Sequence, residues 1–359
     1  RDNWYTGMSK RYSVMGDVVL TTPVIRAIIE SNSELEITIV TKEFYAPFFF
    51  GIPRVNLFFI DKDNRYKGLS GAYRLYKTLV AEGTPDAFID LQGNLFSRTL
   101  SWFFERKGSK VSRIDNGEKE KQFLIKAKYI RALKHATTRY LDAFAAVGFD
   151  AKIGKAPFID YSTEAYQTAR SYFIGKIPEK SYLKIGLSPF APTKPKVWGL
   201  NHFKELISLI NQNHNAVFFL FGGGEKEILL MKELEQFGDN VHLIAGKFTL
   251  SEELAMMRML DLMICMDSSN MHLASLSGIK TVSVWGGTHP AFGFSALNQP
   301  SEYHIQTPVS SLKCRPCSEQ GEKNCIYKEP KCMEMITAEA VFDSIRPIIA
   351  RQSQQGSEK

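Results

Sequence analysis

Short apolar runs alternate with amphipathic stretches along most of the chain. Strands are predicted at 36–40, 55–60, 86–91, 183–187, 216–221, 241–244, 262–266 and 281–285. Helices are predicted between them at 23–30, 69–81, 138–147, 202–210, 225–235, 252–259 and 271–277. Such alternation is typical of parallel sheets with helical crossovers, so the pattern predicts an α/β fold.

Two series of this kind, within 359 residues, predict two Rossmann-like, doubly wound domains. The pattern is interrupted between about Asp150 and Tyr182, where glycines and prolines accumulate. We therefore expect one domain over 1–160 and a second over 161–336. A helix at 337–350 and a disordered polar tail at 351–359 would follow.

The charge of the chain is concentrated in one stretch. Net charge is +7, but Arg98 to Arg139 alone carries 12 basic and 4 acidic residues, or +8. A basic patch indicates an anionic partner: nucleic acid, a membrane surface or a phosphorylated substrate. The 44% hydrophobic content excludes wholesale disorder. No apolar run approaches the roughly 18–20 residues of a membrane helix, and Arg1 to Tyr5 lacks a signal-peptide core, so we expect an intracellular protein.

A candidate phosphate site lies at Met266 to His272, which follows an apolar strand and opens a helix. Ser268 or Ser269 suits the N-cap, and the amides of a helix N-terminus attract anions. The alternative is a plain strand–turn–helix with a serine cap.

Two further loops of the second half follow strands. Gly222-Gly223-Gly224 would let a ligand approach the backbone, and Glu225 could accept hydrogen bonds from a ribose, although a tight turn is the alternative. Lys194 and Lys196 could neutralise a diphosphate, although surface lysines are usually only solvated. Because three successive loops meet at one sheet edge, a nucleotide diphosphate is the predicted ligand.

In the first half, Gly16-Asp17 lies ahead of an apolar helix for which Thr22 and Pro23 fit the N-cap and first turn. Asp17 would then face an interdomain cleft, where an aspartate could act as general base toward a hydroxyl. A second helix cap is the alternative role.

These segments together resemble the bacterial heptosyltransferases, glycosyltransferase family 9. The resemblance runs from about Met15 to Val341. It rests on the order and spacing of Gly16-Asp17, Thr22-Pro23, Asp90-Leu91-Gln92-Gly93, Lys196 with Trp198, Gly224-Glu225, Asp267-Ser268-Ser269 with His272, Gly278 and Trp285-Gly286. It implies the GT-B arrangement, in which two Rossmann-like domains face each other across a cleft and the C-terminal half binds the donor.

The resemblance also implies roles for individual residues. Asp17 would be the catalytic base, and Gln92 and Arg98 would bind the acceptor. The implied donor contacts are Lys196 to the diphosphate, Glu225 to the ribose, Asp267 to the transferred sugar, Ser268 and Ser269 to the phosphates, and His272, for which packing inside the helix is the alternative.

The implied reaction is an inverting, metal-independent transfer of heptose, without a cofactor, from a nucleotide-diphosphate sugar such as ADP-heptose. The acceptor would be a phosphorylated, lipid-linked saccharide, the lipopolysaccharide precursor. The basic stretch would meet its phosphates or the inner membrane, which makes the protein cytoplasmic or peripheral on the cytoplasmic face. No nucleic-acid partner is expected, because a recognition helix or RNA-binding motif is lacking. A nucleotide-sugar 2-epimerase and a non-catalytic nucleotide-sugar-binding module are the rival hypotheses.

Three segments depart from this scheme or mimic another. Tyr5 to Tyr12 is a poor candidate for the buried strand that the family places before Gly16-Asp17. Asp61-Lys62-Asp63 mimics a metal-binding DxD motif but is interpreted as a solvated turn. Four late thiols could form a structural zinc site, with reduced thiols or a disulfide as alternatives: Cys314, Cys317, Cys325 and Cys332.

Overall fold

A computed structural model of the protein describes residues 3–7, 15–60, 65–127, 130–178 and 182–356, so Asp61-Lys62-Asp63 lies outside the described residues. The chain forms two compact units. The first consists of Arg1–Glu118 and Lys134–Asp160, and the second of Lys119–Leu133 and Tyr161–Lys359. The main division falls at Asp160, and the short segment 119–133 clusters with the second unit.

The first unit contains a five-stranded parallel sheet in the order β3-β2-β1-β4-β5. Its strands are β1 (Asn3–Gly7), β2 (Glu36–Thr41), β3 (Val55–Phe59), β4 (Ala87–Asp90) and β5 (Lys110–Arg113). The central strand β1 overlaps the segment Tyr5 to Tyr12, whose sequence made it a poor candidate for a buried strand. Its backbone pairs with β2 from Asn3 and with β4 from Trp4, so ladder hydrogen bonds on both sides hold it in place.

The helices of this unit lie on both faces of its sheet. They are α1 (Met15–Val19), α2 (Thr22–Ser31), α3 (Gly68–Ala81), α4 (Leu95–Lys107) and α6 (Ala136–Ala145), with a 3₁₀ turn at Glu43–Phe49. Thr22 is the first residue of α2 and not its predicted cap, a place that Thr21 takes. The periodicity did not predict α4. Asn94 caps this helix by accepting from Ser97 N at 2.9 Å, and Gly108 ends it at φ 104°.

The direction of the crossovers decides which helices share a face. The connections β3 to β4 and β4 to β5 run the same way across the sheet, whereas β1 to β2 runs the opposite way. Because parallel crossovers are right-handed, α3 and α4 share one face and α2 lies on the other with α6. Phe88 of β4 stacks on Phe104 of α4 with centroids 4.7 Å apart, in the core between sheet and helices.

The second unit contains a six-stranded parallel sheet in the order β11-β10-β9-β6-β7-β8. Its strands are β6 (Leu183–Ser188), β7 (Ala216–Leu220), β8 (Val241–Leu243), β9 (Leu262–Met266), β10 (Thr281–Trp285) and β11 (His304–Gln306). Strands β7, β9 and β10 are buried throughout, which agrees with their continuous apolar runs and with helices on both faces. The order reverses between β6 and β9, as in doubly wound sheets.

The helices of the second unit follow the predicted alternation, with additions. They are α5 (Glu118–Ala127, in this unit from Lys119), α7 (Thr163–Ile174), α8 (Leu200–Asn213), α9 (Glu225–Glu235), α10 (Leu250–Arg258), α11 (Ser269–Leu276), α12 (Lys331–Glu334) and α13 (Ala338–Gly356). Helix α13 continues to Gly356, into the segment 351–359 for which the sequence predicts a disordered tail; residues 357–359 are outside the described ranges. Among the described helices none is long and apolar enough to span a membrane.

Candidate functional site

The reversal of strand order positions the donor-site candidates. Strands β6 and β9 are far apart in the chain but pair directly, with Ser188 opposite Cys265. In open α/β sheets, ligands bind outside the carboxyl ends of the strands at this reversal. The loop with Lys196 follows β6, and Asp267 follows β9. Glu225 is the first residue of α9, the helix that follows the neighbouring strand β7, and it therefore lies at the same edge of the sheet.

Lys196 and Asp267 are in direct contact. Lys196 lies in a 3₁₀ turn, and its Nζ is 2.9 Å from Asp267 Oδ2. The same carboxylate oxygen accepts a hydrogen bond from Thr288 Oγ1 at 2.7 Å. The side chains of Lys196 and Asp267 are only 13% and 10% exposed. Two predicted donor residues therefore form one buried ion pair, and Thr288 is a partner that the sequence motifs did not indicate.

Ser268 is the N-cap of α11, as predicted, but its side chain does not cap the helix. Ser268 Oγ is buried and has no hydrogen-bond partner among the described residues. A buried hydroxyl left unsatisfied costs about 1–3 kcal/mol, so a ligand that bonded it would recover that free energy. Ser269 opens the helix, whose N-terminal amides favour an anion. Asn270 Nδ2 donates to Ser188 Oγ at 2.8 Å and fixes the helix start against β6.

His272 and Glu225 differ in their surroundings. His272 lies inside the unit, with the residue 6% exposed, about as buried as Asp267 at 7%. Glu225 is exposed at the start of α9, directly after Gly224 at φ 85°. Its neighbour Glu227 turns back to the glycine loop and accepts from Gly223 N at 3.3 Å, and burial raises its pKa. The sequence analysis did not identify Glu227, because a glutamate four residues after Gly223 does not by itself indicate a hydrogen bond between the two.

The structure does not support the predicted zinc site. Within the described ranges, no three or more His, Cys, Asp or Glu side chains are placed to hold a metal ion. None of the four cysteines forms a disulfide. Cys325 Sγ donates to Glu329 O at 3.1 Å, and Cys317 Sγ contacts Cys314 O at 3.6 Å. Burial raises the pKa of the Cys332 thiol to about 11.

Arg315, between the first two cysteines, is a completely buried cation. Its guanidinium donates to Gly286 O at 2.5 Å and to Thr288 O at 2.9 Å, and it also bonds Thr307 O. Burial lowers the pKa of Arg315, whereas the charge of the neighbouring cysteines raises it. Arg315 thereby orients the loop after β10, from which Thr288 reaches Asp267.

The cysteine segment, residues 314–332, also contacts the turn that carries Lys196. Cys317 N donates to Gly287 O at 2.7 Å, and Gly287 N donates to Pro195 O at 2.9 Å. A Cβ placed on Gly321 would be 2.6 Å from Thr193 Oγ1 and 3.1 Å from Lys196 Cε. The segment therefore supports the lysine turn by packing and hydrogen bonds, a role that its spacing did not reveal.

Asp17 is located differently from the sequence-based prediction. It is the third residue of α1 and not in a turn ahead of α2, and Thr21 takes the cap of α2. Tyr140 Oη donates to the backbone oxygen of Asp17 at 3.3 Å. Burial, and then the charge of Asp17, raise the pKa of both Tyr140 and Tyr45. The Asp17 carboxylate is therefore close to two phenols and half-buried.

The acceptor candidates follow β4, the neighbour of β1 where the first sheet reverses its order. Asp90 is completely buried and accepts from Gln92 N at 2.9 Å, Gly93 N at 2.9 Å and Ser97 Oγ at 2.8 Å. These bonds fix the loop that holds Gln92, which is half-buried, while Arg98 is exposed on α4. Asp90 is thus a positioning residue for this loop.

The basic stretch 98–139 is divided between the two units. Its middle part, 119–133, belongs to the second unit. Lys121 is buried 2.7 Å from Glu319 Oε1 and 4.5 Å from the Phe294 ring centroid. Arg139 is buried and donates to Asp115 O at 3.1 Å. Two of the charges counted for an anionic partner are therefore paired inside the protein.

Comparison with known proteins gives consistent matches. The model of the family described as "Glycosyltransferase family 9 (heptosyltransferase)" matches residues 72–328. A curated relative, lipooligosaccharide heptosyltransferase 2 of Campylobacter jejuni, is 26% identical over 167 residues, 46% of this chain, so the chain spans about half (51%) of that relative's length. The family 9 glycosyltransferase structure from Veillonella parvula superposes with a TM-score of 0.74 at 20% identity and 98% coverage of each chain. "E. coli ADP-heptose lps heptosyltransferase II" superposes with a TM-score of 0.65 at 16% identity, covering 98% of this chain and 99% of that one. The structural likeness confirms the predicted α/β fold class.

Proposed function

Because this chain belongs to glycosyltransferase family 9 (heptosyltransferase), we propose that it transfers a heptose from ADP-heptose to a lipopolysaccharide core precursor. The name of the E. coli structure includes ADP-heptose, and that of the Campylobacter relative includes lipooligosaccharide. The acceptor is then a phosphorylated saccharide on a lipid, and the protein works at the cytoplasmic face of the inner membrane. The observation that carries the proposal is the set of polar groups at the reversal point of the second sheet.

That set matches the parts of a nucleotide-diphosphate sugar. The ammonium of Lys196 supplies positive charge at the sheet edge, beside the carboxylate of Asp267. The hydroxyl of Ser268 and the N-terminus of α11, with Ser269, supply donors for phosphate oxygens. Glu225 is available to a ribose hydroxyl, and Asp267 to the transferred sugar, with Thr288 holding the carboxylate.

The proposed reaction is a single displacement. The acceptor hydroxyl oxygen forms a bond to the anomeric carbon as the bond from that carbon to the diphosphate oxygen breaks, and the configuration inverts. Asp17 takes the hydroxyl proton, and ADP leaves with the electron pair of the broken bond. A positioned base contributes about 10²–10⁴-fold to such a step.

The leaving diphosphate is stabilised by charge that the chain itself supplies. Lys196 and the amides of α11 act where negative charge develops. The proposal therefore requires no divalent metal and no cofactor, and we expect full activity in the presence of a chelator.

The acceptor side is assigned to the first unit. Gln92 lies in a loop that Asp90 fixes with three hydrogen bonds, so its amide is held in place before the acceptor binds. Arg98, exposed near the start of α4, offers a guanidinium for a phosphate on the saccharide. His272 of α11, about as buried as Asp267, is assigned to the donor side, as the family resemblance implies.

Asp17→Asn tests the reaction. The amide keeps the size of the side chain but removes its basicity, so we expect kcat to fall by at least about 10²-fold. Binding of ADP, measured by calorimetry, should change little, since the donor groups are in the other unit. The control is Asp142→Asn, which removes an exposed carboxylate paired with Lys134 in the same unit and should leave kcat unchanged.

Product analysis separates the proposal from its rivals. Heptose on the acceptor, with the opposite anomeric configuration, supports transfer, whereas an isomerised nucleotide sugar would identify an epimerase. ADP binding without either product would leave a binding module. Near-normal turnover in Asp17→Asn would remove Asp17 as the base.

A further inference from the structure

An exposed face of the first unit carries large apolar side chains. On α3, Leu69 and Tyr73 are 54% and 48% exposed, and on α4, Leu95 and Trp102 are 71% and 47% exposed. Spacings of four and seven residues place each pair on one side of its helix. Soluble proteins expose such side chains singly, so a group of four marks an interaction surface.

The two helices present these side chains as one surface, the α3–α4 face. Both helices lie on the same face of the sheet and pack against each other. The Phe103 ring joins them, with its centroid 5.2 Å from that of Tyr73 and 5.1 Å from that of Trp102. Because α3 and α4 each follow a parallel strand, both helices begin at the carboxyl edge of the sheet, where Gln92 lies.

The α3–α4 face carries a surplus of basic residues. Helices α3 and α4 contain five basic residues and one acidic residue, a net charge of +4. The basic residues are Arg74, Lys77, Arg98, Arg106 and Lys107, all exposed. The one acid, Glu105, is 3.3 Å from Arg113 Nη2 and is compensated there. The guanidinium of Arg106 lies 4.9 Å above the Trp102 ring.

We propose that the α3–α4 face docks on the surface of an anionic lipid bilayer. Trp and Tyr favour the interface between headgroups and acyl chains, Leu95 and Leu69 can enter the acyl boundary, and Arg and Lys attract anionic headgroups. The docking deepens the proposed function and rests on it, because a transferase with a lipid-linked acceptor meets that acceptor at the membrane, next to Gln92. The docking itself requires neither donor nor acceptor.

A second group of exposed apolar residues shows the contrast. Leu229 and Leu230 of α9 are 67% and 40% exposed. That helix also contains four glutamates and only two lysines, a balance that an anionic surface repels. Exposed apolar area occurs in both units, but the α3–α4 face, unlike α9, combines it with aromatic rings and a basic surplus.

The test is sedimentation of the purified full chain with vesicles. Phosphatidylcholine vesicles containing phosphatidylglycerol should bind the protein, with affinity that falls as salt rises, and phosphatidylcholine alone should bind it weakly. Lys77→Gln should weaken binding about fivefold. Tyr73→Ser with Trp102→Ser should abolish binding, because both rings are lost from the interface.

The control is Leu229→Ser with Lys232→Gln on α9, which removes a similar exposed leucine and one lysine and should bind vesicles like the parent chain. Unchanged thermal unfolding of the Tyr73→Ser/Trp102→Ser variant would show that it is folded. If this variant transfers sugar to a soluble, lipid-free acceptor as fast as the parent chain does, its docking defect is separate from catalysis. If the parent chain binds vesicles but transfers no sugar, only the proposed function is overturned. Three outcomes would overturn the docking proposal: equal binding to both vesicle types, binding that survives the loss of both rings, or a dimer that these substitutions dissociate.

Discussion

The ion pair between Lys196 and Asp267 permits a test in which burial is the variable. Lys196→Met keeps most of the aliphatic stem and removes the ammonium, and Asp267→Asn keeps an oxygen that can accept from Thr288. Each single variant leaves one charge in a site where the side chains are only 13% and 10% exposed. The double variant removes both charges.

The expected magnitudes follow from burial. Breaking a buried pair from one side costs about 3–5 kcal/mol, and the remaining exposure here places each single variant near the lower end, at about 3 kcal/mol of unfolding free energy. The double variant should be about as stable as either single one or more so, because no uncompensated charge remains. The coupling energy of the cycle should therefore be about 3 kcal/mol or more.

The matched control is the pair of Lys194 and Glu329, whose charged atoms are 2.7 Å apart but whose side chains are 64% and 61% exposed. Lys194→Met with Glu329→Gln should give a coupling energy below about 1 kcal/mol, and salt should reduce it further. Urea unfolding followed by circular dichroism and fluorescence measures both cycles, with coincident transitions as the check on two-state behaviour. Equal coupling energies for the two pairs would refute the argument that burial makes the Lys196 pair strong.

Two further predictions concern pH and the cysteine segment. Burial raises the pKa of Glu253 to about 8, so the folded state binds more protons than the unfolded state between about pH 4.5 and 8, and this contribution to stability is lost as pH rises through that window. Glu253→Gln should therefore raise Tm at pH 8 but not at pH 4.5, and an equal effect at both pH values would contradict the burial argument. Gly321→Ala places a Cβ against Thr193 and Lys196, whereas Gly108→Ala, also at positive φ (104° against 76°), meets no atom within 4 Å. Both should lose about 1–2 kcal/mol of stability from backbone strain, but calorimetry should show weaker ADP binding only for Gly321→Ala; equal ADP affinities would exclude support of Lys196 by this segment.

Local pattern was sufficient for much of the fold. The five predicted strands of the second half are present in the sheet, because a strand covered by helices on both faces must be apolar along its length. The position of Ser268 at the N-cap of α11 was also predictable, since a small polar residue is preferred between a strand and the first turn of an apolar helix. The division of the chain into two α/β series likewise follows from periodicity alone.

Other features depend on contacts between residues distant in sequence. Strand β1 has weak local signals and is central because β2 and β4 bond it on both sides. The cysteine spacing suggested zinc, whereas tertiary contacts direct Cys317 N and Arg315 to the backbone of the loop after β10. Helix α5 was hidden by its many charged residues, of which Lys121 turned out to be buried.

For this protein, sequence by itself determined the residue types at the proposed donor edge, the order in which they follow their strands, and the family. Only the tertiary structure decided that Lys196 and Asp267 form a buried pair held by Thr288, that Asp17 belongs to a helix beside two phenols, and that the basic stretch is divided between the two units. The physical reason is that propensity and periodicity act over a few residues, whereas burial, hydrogen-bond partners and charge compensation depend on which distant segments share a sheet edge.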